Sequence, residues 1–295
     1  DQILIELEKI FGPQGLPIED THALKLRYLE RKLFRAWCIW LCQPSFLKMQ
    51  EIERKKQFQQ IALEIERTIE SSKGPWIDPT TYNNDHSNPG TSDIIFIPYL
   101  ERMNASLAYY KGFNFREEHP LINNWFRELE NSQIYVCTQG DIHTHSHDLP
   151  PQMGGCYFDH NPKQLEFSTL IDNGNGLNEI EIFPDNSYTM FNIVPEAIAL
   201  QRVIKHKEKL KEVNSIGPEL FDQPLRAALT KMISNKQCIP NPGSASGLRY
   251  LRDRVSVPRD MPLLAARALR QALESTAQID GPEQGVPLPI RDRFD

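Results

Sequence analysis

Thr91-Ser92-Asp93-Ile94-Ile95-Phe96-Ile97-Pro98-Tyr99-Leu100-Glu101-Arg102-Met103-Asn104-Ala105-Ser106 is the stretch on which the fold turns. Two hydroxyls and an acid precede an apolar run, the order expected at a helix start. Thr91 or Ser92 can accept from the free amides of the first turn, and Asp93 meets the positive end of the helix dipole. The helix is expected from Ile94 towards Tyr110, bent at Pro98 and ended by Gly112. On its N-terminal side, Leu26, Leu29, Leu33, Trp37, Trp40 and Leu41 recur at helical spacing until Pro44 stops them. Phe58, Ile61, Ile65 and Ile69 mark a second helix, and the polar stretch from Asp78 to Gly90 reads as a loop. On its C-terminal side, Pro120 opens a helix through Trp125, Phe126 and Leu129. The fold class is therefore mainly α.

Beyond Tyr135 the texture changes. Asp141 to Cys156, with Pro150-Pro151 and Gly154-Gly155, reads as loop. Gln164 to Ile171 and Glu179 to Phe183 flank Asp172-Asn173-Gly174-Asn175-Gly176 as the two arms of a hairpin. Helical spacing returns from Pro195 to Val213, Pro218 to Ile233, Leu248 to Arg254 and Met261 to Ala277. This gives four regions: a helical domain over 1–139, a loop-rich segment with a short hairpin over 140–194, a helical extension over 195–280 and a Pro-rich tail over 281–295. Helices rich in Leu, Ile and Val need a partner surface. The extension is thus expected to dock on residues before 140, with its Arg-rich face outward.

Composition narrows the classes. The 295 residues are 40% apolar and 24% charged, enough for a sizeable core. A net charge of −6 argues against nucleic acid and against an anionic membrane surface. The longest apolar run, around Phe34 to Leu47, is broken by Arg35, Gln43 and Pro44, so no transmembrane segment is expected and only a peripheral membrane contact stays open. Five irregularly spaced cysteines fit a soluble protein of a reducing compartment.

The order of these elements, with Gly74-Pro75-Trp76 ahead of the central helix and Pro120-Leu121-Ile122-Asn123-Asn124-Trp125-Phe126 behind it, resembles the C-terminal helical domain of glutathione S-transferases. Tyr99-Leu100-Glu101-Arg102-Met103-Asn104-Ala105-Ser106 with Tyr109-Tyr110-Lys111-Gly112, and Thr144 to Gln152, are similar to a transferase-like thioredoxin-domain family of cyanobacteria and plastids. The start, Asp1 to Glu8, resembles the last helix of the thioredoxin-like domain that precedes the helical one in that family. The resemblance implies glutathione bound mainly by that preceding domain, and no catalytic residue within these 295. It also implies a location in the cyanobacterial cytoplasm or plastid. Trp37, Tyr99, Arg102, Met103 and Tyr110 would line an apolar co-substrate pocket, against the plainer reading that they are core. A non-catalytic scaffold or accessory subunit, within a homodimer or a larger photosynthetic assembly, is the alternative function. One departure stands out: transferases usually carry Ser or Thr three residues before the buried Asp, where this chain has Gly90.

Asp141, His143, His145 and His147 alternate and Asp148 follows, so an extended backbone would present all four on one face as zinc ligands or for proton transfer. A polar loop is the first reading, and no metal is expected. Cys137 and Cys156 flank that segment and could join such a site. Cys38 and Cys42, among Trp and Leu, read as inert core.

Overall fold

The computed structural model describes residues 2–80, 88–174 and 194–281. Those residues form helices and no strand, in keeping with the mainly α class. The chain divides into two compact units, Asp1–Val136 with Cys156–Asp159, and Cys137–Gly155 with His160–Asp295. No described helix is long and apolar enough to cross a membrane.

The first unit holds α1 (Gln2–Phe11), α2 (Thr21–Cys42), α3 (Lys48–Ser72), α4 (Thr91–Lys111), α5 (Phe115–Glu118) and α6 (Pro120–Glu130). Asp20 starts α2 by accepting from the amides of His22 and Ala23. Helices α2, α3 and α4 bury the predicted apolar stripes in an aromatic core, where Trp40 packs edge-on against Phe113 at 5.4 Å and Phe58 against Phe115 at 5.3 Å. The start of α4 differs from expectation. Neither Thr91 nor Ser92 is the cap; Gly90 is, and Asp93 reaches back to its amide at 3.1 Å. A Cβ on Gly90 would fall 2.5 Å from the Asp78 carboxylate, whose Oδ2 accepts from the Leu16 amide at 2.8 Å. Asp78 fills the space where a Ser or Thr side chain would stand, which accounts for the glycine.

α7 (Gln133–Thr138) follows. The second unit then comprises α8 (Ile142–Met153), α9 (Pro162–Asp172), α10 (Pro195–Glu212), α11 (Pro218–Ser234), α12 (Ala245–Arg254) and α13 (Leu263–Asp280). Two expectations for 140–194 fail here. Asp141 to Cys156 is largely a helix, because Asp141 caps it through the Thr144 amide at 3.0 Å. Pro150 and Pro151 fall near its end, where fewer backbone bonds are lost, and Gly154 closes it in a left-handed conformation. Gln164 to Ile171 is helical, not a strand, because Asn161 caps α9 and Pro162 opens it. The other arm, Glu179 to Phe183, and the tail after Gly281 lie outside the described residues.

The extension does not need residues before 140 for burial. Its helices close on one another around Phe221, Leu225, Leu248, Leu269 and Leu273. The expected outward Arg face is also corrected: Arg249, Arg252 and Arg270 are all buried. Each has found a carboxylate, the condition on which a guanidinium leaves water.

Candidate functional site

The second unit encloses a polar cluster that no single sequence motif announces. Helical geometry for α8 puts His143 and His147 one turn apart on the same face, with ring centroids 4.3 Å apart. α9 contributes Asp172 at its last turn, and α12 contributes Arg252 and Asp253. α13 supplies Glu274, which takes Arg249 at 2.9 Å and Arg252 at 2.5 Å.

Distances define the donors. His143 Nδ1 stands 3.0 Å from the Ile171 carbonyl oxygen, so this nitrogen carries the proton and Nε2 carries the lone pair. That Nε2 is buried without a hydrogen-bond partner and faces Asp253 Oδ1 at 3.6 Å. His147 Nε2 lies 2.9 Å from Asp172 Oδ1 and 3.7 Å from Asp253 Oδ1. Arg252 Nε donates to Asp253 Oδ1 at 2.6 Å. The Asp253 side chain keeps 22% of its exposure.

Burial, with Arg270 and His147 close by, pushes His143 down to about 4 despite Asp253, so its imidazole is neutral at neutral pH. Burial alone would push Asp253 up; Arg252, His147 and His143 instead hold it well below the usual carboxylate range. A second ion pair fixes α8 itself. Arg270, with no exposure, donates to Asp141, to Thr144 Oγ1 at 3.2 Å and to the Val255 carbonyl. The Val257 amide also donates to Thr144 Oγ1, at 3.0 Å.

The ligand set expected from an extended strand is therefore rearranged. His143 and His147 converge, and their third partner is Asp253 from α12. His145 projects elsewhere, over Gly140, where an added Cβ would meet its Nε2 at 2.6 Å. Asp148 stays partly exposed on α8 outside the group, and neither Cys137 nor Cys156 belongs to it. Asp172, Asp253 and Glu274 were not singled out from the sequence. A helical reading of 142–153 would have paired the two histidines; nothing local points to the acids.

The first unit places the predicted pocket residues mostly in its interior. Trp37 is buried and donates to Ser106 Oγ at 3.0 Å, and Met103 has no exposure. Tyr110 is buried against Phe158, with centroids 4.7 Å apart. Tyr99 is partly exposed under the Arg31 guanidinium, and Arg102 donates to the Pro98 carbonyl at 2.6 Å. The structure thus distributes the five between core and surface. The thiols are less sealed than expected. Cys38 and Cys42 are half-buried. Cys42 is lowered by a hydrogen bond from Cys156, against burial and with help from Lys111, whereas burial and Cys42 push Cys38 up to about 12. A cavity of about 490 Å³ in the second unit is lined by Arg202, His206, Lys209, Tyr250, Arg254 and Arg259 with apolar neighbours.

No family model, curated protein or solved structure matches this chain.

Proposed function

We infer that the chain is the helical part of a glutathione S-transferase-like protein, in which a thioredoxin-like domain binds glutathione and activates its thiol while the helices shape the co-substrate side. One observation carries this reading. The buried Asp93 carboxylate gathers the Ile77 amide at 2.8 Å, the Asp78 amide at 3.3 Å, the Gly90 amide at 3.1 Å and the Trp125 indole at 2.8 Å. A single acid at the third position of α4 thereby ties the preceding loop to α6, and it is buried as the resemblance implies for this residue. Helix α1 adds support. It has no buried residue, and Ile3, Ile10 and Phe11 are exposed, an apolar surface of the kind a neighbouring sheet covers.

The same uncovered surface favours the second reading, a scaffold whose α1 docks on a larger assembly. Activity separates the two. Protein purified from its native cells is expected to conjugate glutathione to a generic electrophile, while the 295 residues alone show no turnover above the uncatalysed rate. No turnover by the native protein overturns the transferase reading and leaves the scaffold; turnover by the 295 residues alone overturns the assignment of the chemistry to a thioredoxin-like domain.

A further inference from the structure

We propose that His143, His147 and Asp253 bind one divalent transition-metal ion of the zinc type, with the fourth position open to water. The proposal is independent of the transferase reading, since it concerns other residues.

The strongest reason is the orientation of His143. Its Nδ1–H is committed to the Ile171 carbonyl, so the Nε2 lone pair points at a carboxylate oxygen 3.6 Å away, buried and with no donor between them. Arg252 Nε offsets the Asp253 charge from one side at 2.6 Å, and a cation between the two electron-rich atoms would relieve their remaining repulsion. Imidazole oriented through its far nitrogen by a backbone carbonyl is also the usual outer arrangement of a metal-ligating histidine.

Spacing agrees. With bonds of about 2.0–2.1 Å, tetrahedral ligand atoms stand about 3.3–3.4 Å apart. Asp253 Oδ1 is 3.6 Å from His143 Nε2 and 3.7 Å from His147 Nε2, and all three ligand atoms lie within 4.8 Å of one another. Closure needs shifts of a few tenths of an ångström to about an ångström, within the reach of side-chain rotation. Asp172 Oδ1, 2.9 Å from His147 Nε2, lies outside that group of three, so water would take the fourth position.

Chemistry selects the ion. Two imidazoles and one carboxylate suit zinc, cobalt or nickel, whereas calcium and magnesium take oxygen ligands. On binding, His147 gives up its Nε2 proton and takes one on Nδ1 by exchange with solvent, so that the metal meets the Nε2 lone pair of a neutral imidazole. The partly exposed Asp253 gives the ion its way in. Because α8 and α12 both supply ligands, the ion would clamp two helices of this unit.

The test uses the tag-free 295-residue protein, stripped with chelator and titrated with Co²⁺ as the spectroscopic stand-in for zinc. One equivalent should bind and give the visible absorption of tetrahedral Co²⁺, zinc should displace it, and the loaded protein should melt above the stripped one. Asp253→Asn and His143→Gln should each lower stoichiometry at least about tenfold, with the helical circular dichroism kept. His145→Gln should bind as the wild type does. Absence of the tetrahedral spectrum in the wild type overturns the proposal, even if both variants unfold. So does full binding by either variant.

Discussion

Replacing Arg270 by Met keeps most of the stem's packing in the core of the second unit and deletes the charge. Arg270 has no exposure, and its guanidinium serves Asp141, Thr144 and the Val255 carbonyl together. Asp141 is itself buried and is the cap of α8, so the variant leaves a carboxylate in the interior with only the Thr144 donors. Stranding one partner of a buried pair costs about 3–5 kcal/mol. That is a large share of the roughly 5–15 kcal/mol that holds a domain together, and corresponds to a fall in Tm on the order of 10 °C for a unit of this size. Urea denaturation followed by circular dichroism reads the loss. Asp141→Asn should cost a similar amount, by stranding Arg270, while the double variant recovers a substantial part because neither charge is left alone. The pH dependence has a definite sign. Burial disfavours the Asp141 carboxylate, but Arg270 holds it below its ordinary value, so the pair's contribution is present above about pH 4 and lost as pH falls through the folded pKa. The gap between wild type and Arg270→Met should therefore narrow on acidification. A loss below about 1 kcal/mol at pH 7, or strict additivity in the double variant, would refute the argument that this pair is coupled and buried.

Asp93 runs the other way: burial pushes it up to about 6, against the Trp125 indole and three backbone amides. With the folded pKa above the unfolded one, its contribution is full below about pH 4 and is lost as pH rises through about 6; a carboxyl NMR titration of Asp93 with a midpoint below 4 would contradict this. Gly90→Ser restores the hydroxyl that transferases carry, a change worth about 1 kcal/mol of capping in the open. Here the new Cβ meets Asp78, so a net loss of about 1–3 kcal/mol is expected in denaturation, and a gain would show that Asp78 moves freely. Trp37→Ala should cost about 3–5 kcal/mol by the cavity it leaves, and a loss below about 1 kcal/mol would place Trp37 on a binding surface instead. Iodoacetamide at neutral pH should modify Cys42 well before Cys38, read by peptide mass spectrometry, because thiolate is the reacting form; equal rates would remove the role given to Cys156 and Lys111.

What could be read in advance were the features encoded within a few residues of one another. The stripes on α2 and α3 and the proline starts at Pro120, Pro195 and Pro218 are local patterns, and the helices follow them. Asp93 was legible as a first-turn acid of α4, while its burial was implied only by the family resemblance. The misreadings came where local signals conflicted. Pro150-Pro151 argued for a loop, but the Asp141 cap and the burial of α8 outweighed them; with the backbone helical, the alternating histidines parted into a converging pair and an outlier. Asn161-Pro162 could have identified α9. The positions of Asp253, Asp172 and Glu274 had no local signature. A mixed run of Arg and Asp has the same periodicity whether it faces water or the interior, and the hydrophobic pattern of α12 and α13 does not say which charges will meet. That choice belongs to tertiary packing, since a guanidinium or carboxylate is stable inside only when another helix delivers its counter-charge at hydrogen-bond distance.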